Sequence, residues 1–215
     1  MPQLPIRTWL GRALRRLLGK GSRAPQPPAP LLAPQSELVD REVIYIQEGV
    51  LQATARLLVS YGRTEQYREH HEGIVYWTGV SSRDGWVVTT ALAPRAKTTP
   101  GSFDTTAQAN AQVVREVNKL GLQILGQVHG HPNDAVEHSR GDDIGAFMPY
   151  PGFLSLIAPY YGEHGMVPLA QCGVHQYIGG KFVRLTEQET EQKFVILPTS
   201  MDLRKDLEEH LYDGK

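Results

Sequence analysis

The distribution of apolar residues divides the chain into short strands separated by two longer amphipathic helices. Runs rich in β-branched and aromatic residues predict strands at 43–46, 74–80, 86–91, 122–128, 154–158 and 193–197. Residues 177–178 and 182–185 flank Gly179-Gly180, a pair that predicts a hairpin with a two-residue turn. Strands and helices in this order predict an α/β fold, a three-layer α/β/α sandwich with a mixed sheet.

Helical periodicity is strongest at 105–120, where Asp104 is the predicted N-cap and Gly121 can end the helix. Its inner stripe consists of Ala109, Val113, Val114, Val117 and Leu120. A second periodic segment, 49–61, predicts a helix directly after the first strand. Each helix has one apolar side, so both are expected to pack against the sheet.

The two ends of the chain differ from its body. Residues 1–36 contain six basic residues and no acidic one, and five prolines lie within 24–34. We expect a basic, Pro-rich flexible leader at 1–36, a folded domain at 37–200, and a charged tail or helix at 201–215. Residues 8–18 could form a short amphipathic helix for a membrane surface or a partner, but isolated short helices are marginal and a frayed tail is favoured.

Composition excludes several classes of protein. The leader takes 6 of the 22 basic residues, which leaves 16 against 23 acidic ones, so no nucleic-acid surface is expected. Cys172 is the single cysteine, which excludes an internal disulfide framework and fits a reducing compartment. No apolar run is long enough for a stable membrane span, and arginines interrupt any secretory signal core. The expected location is the cytoplasm.

Candidate chemistry is concentrated in one stretch, which reads H-G-H-P at 129–132 and S-R-G-D at 139–142. Histidines at i and i+2 at the end of a strand point to the same face of a sheet. His129 and His131 could therefore bind one zinc ion, and Asp142 could supply a third ligand from the following turn. Three protein ligands leave the fourth position of a tetrahedral zinc ion open for water, which is the arrangement of a catalytic site.

Each of these residues also has a simpler interpretation. His129 and His131 could be ordinary polar residues at a strand end. Ser139 and Asp142 form the S-x-x-D pattern of a capping box at a helix start, which is compatible with a catalytic role. Asp143 is an alternative ligand by proximity, although the spacing favours Asp142.

Other candidates for chemistry are weaker. Cys172 and His175 could form a nucleophilic pair, but a lone buried cysteine is usually inert packing. His138 is expected to be a solvated loop residue, and His164 to be structural or solvated. The predicted chemistry therefore depends on the stretch 129–142.

The pattern resembles the JAMM motif of the JAB1/MPN/Mov34 metalloprotease family, including the proline after the second histidine. Members of the family carry an upstream glutamate just before a strand, and E-G-I-V-Y-W-T-G at 72–79 is similar to that element. The resemblance covers roughly 43–185. It implies an MPN domain with a cytidine-deaminase-like fold and one zinc ion per chain, held by His129, His131 and Asp142.

The resemblance also implies roles for two further residues. Glu72 would take a proton from the attacking water and pass it to the leaving amine. Ser139 would hydrogen-bond the oxyanion that forms during the reaction. The alternative for Glu72 is a solvated charge at the entrance of a strand.

Family members are known for cleaving isopeptide bonds after the C-terminal glycines of ubiquitin-like proteins. Bacterial and archaeal relatives process or deconjugate such proteins, and some sit beside E1- and E2-like enzymes, including in antiphage systems. This chain looks most like the stand-alone prokaryotic, deubiquitinase-like members. The resemblance therefore implies a zinc metalloprotease whose partners are a ubiquitin-like protein or its conjugates and E1- or E2-like enzymes.

Three alternatives remain open at this point. A non-catalytic MPN scaffold would bind partners only, although such scaffolds usually lack some of the ligands present here. A DNA-repair-associated relative would have a similar motif, but the acidic body disfavours nucleic acid. A zinc peptidase for small conjugates on a carrier protein would use the same reaction.

Overall fold

The structure is a computed structural model that describes residues 43–62, 69–82 and 85–203. The predicted leader, the predicted domain start at 37 and the C-terminal segment beyond 203 lie outside the described residues. Among the described helices, none is long and apolar enough to cross a membrane.

Ten strands and four α-helices make up the described part of the chain. In order they are β1 (Val43–Gln47), α1 (Glu48–Ser60), β2 (Ile74–Ser82), β3 (Gly85–Leu92), β4 (Ala96–Thr99), β5 (Ser102–Thr105), α2 (Ala107–Lys119), β6 (Gln123–Gly130), α3 (Arg140–Gly145), β7 (Leu154–Ala158), β8 (Gly173–Ile178), β9 (Lys181–Arg184), α4 (Glu187–Lys193) and β10 (Phe194–Leu197). Short 3₁₀ turns lie at Pro159–Gly162 and Leu169–Gln171.

Eight of the strands form one mixed sheet in the order β10-β1-β3-β2-β6-β7-β8-β9. β1 is parallel to both of its neighbours, β6 is parallel to β7, and the remaining neighbours are antiparallel. The predicted α/β fold with a mixed sheet is confirmed. The predicted Gly-Gly hairpin is also present, and both glycines have the positive φ that its turn requires.

The sheet separates two hydrophobic clusters, and successive residues of β2 belong to them alternately. Val75 and Trp77 belong to the larger cluster, together with the apolar side of α1. Ile74 and Tyr76 belong to the smaller cluster, together with α2. Because successive side chains of a strand point to opposite faces, α1 and α2 cover opposite faces of the sheet.

The start of α2 differs from the prediction. Its N-cap is Thr106, whose hydroxyl accepts a hydrogen bond from the backbone N–H of Ala109 at 3.2 Å. Asp104 instead lies in β5, which pairs with β4 in a separate two-stranded sheet. This hairpin was not predicted, because both of its strands are only four residues long and their sequence is polar.

β6 continues two residues beyond its predicted end. His129 pairs with Ile74 of β2 on one side and with Ile157 of β7 on the other, and Gly130 pairs with Ala158. The first histidine is therefore part of the sheet itself. Its backbone is held by two neighbouring strands.

Candidate metal centre

The structure brings His129, His131 and Asp142 to one point. Nε2 of His129 and Nε2 of His131 lie 3.2 Å apart. One carboxylate oxygen of Asp142 is 3.3 Å from Nε2 of His129, and the other is 3.6 Å from Nε2 of His131. Metal–ligand distances of about 2.1 Å in a tetrahedral zinc site place the ligand atoms about 3.4 Å from one another. The three residues therefore fit a divalent metal ion such as zinc.

The tautomer of His131 suits a metal ligand. Its Nδ1 is 2.8 Å from the carbonyl oxygen of Ala135. A carbonyl oxygen only accepts, so Nδ1 carries the proton and Nε2 presents its lone pair to the centre. Hydrogen bonds of this kind orient metal-ligating histidines.

His129 is oriented in a different way. Its side chain is fully buried, and its Nδ1 has no hydrogen-bond partner among the described residues. The ring instead packs against Phe103 of β5, with the ring centroids 5.5 Å apart. The β4–β5 hairpin thus supplies a contact to the centre, although nothing in the local sequence pattern indicated it.

Asp142 is presented by the N-terminus of α3. Ser139 is the N-cap, and its hydroxyl accepts from the backbone N–H of Asp142 at 3.2 Å. The Asp142 carboxylate accepts in return from the backbone N–H of Ser139 at 2.6 Å. The predicted capping box is present, and it restrains the carboxylate that faces the histidines. Asp143, the alternative ligand, instead contacts His138 at 2.8 Å.

Ser139 is the N-cap of α3 and therefore lies beside the centre. Its hydroxyl oxygen accepts from Asp142, and a hydroxyl can donate its own proton at the same time. The hydroxyl proton can rotate about the Cβ–Oγ bond, so Ser139 can donate a hydrogen bond to another acceptor. The placement is compatible with the predicted hydrogen bond to a substrate oxygen.

Glu72 lies just before β2, next to the end of β6. Its backbone N–H donates to Thr99 of β4 at 2.9 Å, and the carbonyl of the next residue, Gly73, accepts from Gly130 at 3.3 Å. Glu72 is only 7% exposed, which contradicts the alternative of a solvated charge at a strand entrance. Its carboxyl group interacts electrostatically with His131 and Asp142, which places it near the metal centre.

The pKa values of the acidic groups reflect this shared environment. Burial raises the pKa of Glu72 to about 7, with His131 opposing the rise and Asp142 adding to it. Burial also disfavours the charged form of Asp142, but hydrogen bonds to His129 and His131 outweigh it and hold the pKa of that carboxyl below its usual range. His131 affects both acids, so both carboxyl groups lie near one centre.

A tight turn closes the other side of the centre. Tyr160 and Tyr161 both have positive φ, 50° and 56°. The backbone N–H of Tyr161 donates to the carbonyl of His131 at 2.8 Å, and its hydroxyl donates to Pro100 in the β4–β5 hairpin at 2.8 Å. A Cβ on Gly130 would lie 2.9 Å from the Cα of Tyr161. The residue between the two histidines must therefore be glycine for this turn to pack.

The prediction for His138 was wrong. Its side chain is 6% exposed, and it hydrogen-bonds to Asp143 and to Ser155 of β7. It follows a polar loop, so the sequence offered no sign of the β7 partner. Cys172 is buried as predicted, and burial raises the pKa of its thiol to about 12.

The chain is similar to one curated protein and to solved structures. A protein of Sinorhizobium fredii with the name "probable metalloprotease" is 31% identical over 100 residues, which are 45% of this chain and 61% of that protein. This chain thus spans about three fifths of that relative's length. No protein-family model matches the chain.

The other two comparisons are with solved structures. A protein from Desulfitobacterium hafniense superposes with a TM-score of 0.51 at 15% identity, over 73% of this chain and 94% of that one. A JAB1/MPN domain protein from Archaeoglobus fulgidus is 19% identical over 66% of this chain and 94% of its own, but its TM-score of 0.36 is too low to support an argument. The first likeness supports the fold alone.

The position of the motif in the fold links these findings. The H-x-H-P and S-x-x-D residues lie on two different elements, the end of β6 and the start of α3, and their ligand atoms meet at one centre beside a buried glutamate. The aligned relative is named as a metalloprotease, and the sheet is a mixed α/β sheet of the expected kind. The chain is thus similar over part of its length to a probable metalloprotease, and its motif residues meet as the resemblance to the JAMM motif predicts.

Proposed function

We propose that the chain is a zinc-dependent isopeptidase or peptidase that cleaves after the C-terminal tail of a ubiquitin-like protein. The observation that carries the proposal is the convergence of three ligand atoms, 3.2 to 3.6 Å apart, beside the buried carboxyl group of Glu72. The name of the Sinorhizobium relative supports the coarser activity, metal-dependent proteolysis.

His129, His131 and Asp142 would hold the metal. A bound zinc ion would supply Lewis acidity, which lowers the pKa of a water molecule and polarises a carbonyl oxygen. Glu72 takes a proton from the attacking water and donates it to the leaving amine. Ser139 donates its hydroxyl proton to the carbonyl oxygen as negative charge develops there.

The surroundings of the centre suit an extended tail as substrate. β4 and β5 form a two-stranded sheet, and Thr99 of β4 is bonded to the backbone of Glu72. An extended peptide can add to the edge of such a sheet through backbone hydrogen bonds. Flexible glycine tails of ubiquitin-like proteins can adopt this conformation, and the family resemblance points to the same substrates. Release of a ubiquitin-like protein within a bacterial conjugation or antiphage system would use this reaction.

The test measures zinc content and cleavage of two substrates, a ubiquitin-like C-terminal fusion and an isopeptide-linked conjugate. We expect about one zinc per wild-type chain, which a chelator removes together with the activity. Glu72→Gln should keep zinc and lose at least about 100-fold in kcat. Ser139→Ala should also keep zinc and lose on the order of 100-fold. His129→Ala should lose both zinc and activity.

Glu69→Gln is the matched control, because Glu69 is an exposed acid three positions before Glu72. It should retain both zinc and activity. Cleavage that persists in Glu72→Gln would contradict the assigned base. Zinc without cleavage of either substrate would contradict the proposed substrate class, and a folded wild type without zinc would favour a binding scaffold.

A further inference from the structure

A chain of buried polar contacts lies behind the candidate metal centre. Gln127 of β6 and Ser155 of β7 are direct neighbours in the sheet and are 2% and 0% exposed. The amide nitrogen of Gln127 lies 3.2 Å from the hydroxyl of Ser155. Polar groups this deeply buried are costly unless they are hydrogen-bonded, so their presence in the sheet calls for a reason.

The chain reaches α3 at both of its ends. Nε2 of His138 lies 3.0 Å from the hydroxyl of Ser155, and Nδ1 lies 2.8 Å from the carboxylate of Asp143 in α3. At the other end, the backbone N–H of Phe147, just after α3, donates to the amide oxygen of Gln127 at 3.1 Å.

The four hydrogen bonds of this series can all run in one direction. Phe147 donates to Gln127, whose amide nitrogen donates to Ser155. The Ser155 hydroxyl donates to Nε2 of His138, and Nδ1 of His138 donates to the Asp143 carboxylate. This order needs only the neutral form of the imidazole, and each contact in it joins one donor to one acceptor. The ring of His138 is also stacked on His175 at 4.0 Å and packed against Phe182 at 4.8 Å.

The contacts join the elements that carry the three predicted ligands. Gln127 lies two residues before His129 on the same strand, and so its side chain points to the same face. Asp143 and Phe147 flank the short helix that presents Asp142. α3 has six residues, none of them buried, so its position depends on contacts at its two ends. These are the polar contacts described above and the packing of Phe147 on Tyr76, with the ring centroids 5.3 Å apart.

We propose that His138, acting through Ser155 and Gln127, is a positioning residue that sets the distance between Asp142 and the two histidine ligands. His138 does not touch the metal centre's reacting atoms. Its role is to hold the helix that carries the third ligand. The proposal rests on the metal centre described above, and it concerns residues outside the motif itself.

The experiment measures the zinc affinity of the full chain by competition with a chromophoric chelator, and thermal unfolding of the zinc-free protein. Loss of an outer contact of this kind typically weakens metal binding about 10- to 100-fold. We expect His138→Ala and Ser155→Ala each to weaken zinc binding within that range. The loss of zinc affinity in the double variant should be much less than the product of the two single fold-changes, because both substitutions break the same series of hydrogen bonds. His138→Gln, whose amide oxygen can accept from Ser155, should recover part of the loss.

Thr54→Val is the control for a merely structural effect. Thr54 is fully buried in α1 on the other face, where its hydroxyl accepts from Trp77 at 2.9 Å. This variant should lower the unfolding temperature and leave zinc affinity within about twofold of the wild type. If His138→Ala fails to fold, Ser155→Ala, which removes a single oxygen atom, carries the test.

The outcomes separate this proposal from the proposed function. Wild-type zinc binding that is unchanged in His138→Ala and Ser155→Ala would overturn the positioning role and leave the metal centre intact. Equal loss of zinc affinity in Thr54→Val would also overturn it. A folded wild type that binds no zinc would refute the metal centre and this proposal together.

Discussion

The two faces of the sheet are built on different principles, although they share the same strands. On the α1 face, Trp77 and Leu51 are fully buried among other apolar side chains, and the described contacts are mainly hydrophobic. On the α2 face, the same strands present His129, Gln127 and, just before β2, Glu72. One face is held by packing, which tolerates small changes of position. The other adds to its smaller hydrophobic cluster a set of directional polar contacts, which do not.

The comparison shows how one small domain can separate folding from chemistry. Burial of apolar area on the α1 face supplies stability without any requirement for exact geometry. The centre on the α2 face depends on distances near 3 Å between ligand atoms at the end of β6 and the start of α3. Substitutions on the two faces should therefore affect different measurements.

The largest effect is expected on the α1 face. Trp77→Ala removes a fully buried indole and the partner of Thr54, and it should reduce the free energy of unfolding by about 3–5 kcal/mol. Zinc content per folded chain should stay unchanged at low temperature. Urea denaturation and metal analysis measure the two quantities. Val80→Ala, at a 43% exposed position of the same strand, should cost less than about 0.5 kcal/mol. Loss of zinc from folded Trp77→Ala would show that the faces are not independent.

A smaller effect, on zinc affinity and not on stability, is expected from Phe103→Ala. The ring of Phe103 packs on His129, whose Nδ1 has no described hydrogen-bond partner to orient it. Zinc affinity should fall about 10-fold while the unfolding temperature of the zinc-free protein changes little. The zinc affinity of Phe103→Leu should lie between those of the wild type and Phe103→Ala, because leucine keeps an apolar side chain at this position. A large loss of stability with unchanged zinc affinity would assign Phe103 to the core instead.

The smallest effect concerns pH. Burial, aided by the neighbouring His138, lowers the pKa of His175 from its usual value to about 4. The unfolded chain therefore takes up this proton first, and the stabilising contribution present at neutral pH is lost as the pH falls. The zinc-free wild type should lose about 1 kcal/mol through this residue between pH 7 and 5.5. The stability difference between wild type and His175→Gln should shrink accordingly. A constant difference across this range would contradict the assignment.

Strong periodicity made most of the fold predictable. β1, β2, β3, β7 and both long helices were predicted within a few residues, because their apolar residues face the two clusters directly. The β4–β5 hairpin and α4 were missed. Both are short and polar, and they form through tertiary pairing and capping rather than through a hydrophobic pattern. The N-cap Thr106 was missed for the same reason, since the pairing of β5 draws Asp104 into a strand.

The site divides in a similar way. The residue types and spacing at 129–142 predicted His129, His131 and Asp142 as candidate ligands, because a zinc ligand set needs particular side chains at particular intervals, and the structure brings the three together. The roles of Glu72 and Ser139 came from the resemblance and stay predictions. Local sequence also favoured the capping box at Ser139. Only the tertiary structure revealed the burial of Glu72, the packing of Phe103 on His129 and the polar chain from His138 to Phe147. Each of these depends on contacts between different segments, which no local pattern records, because the strand order and the register of the sheet decide which residues become neighbours.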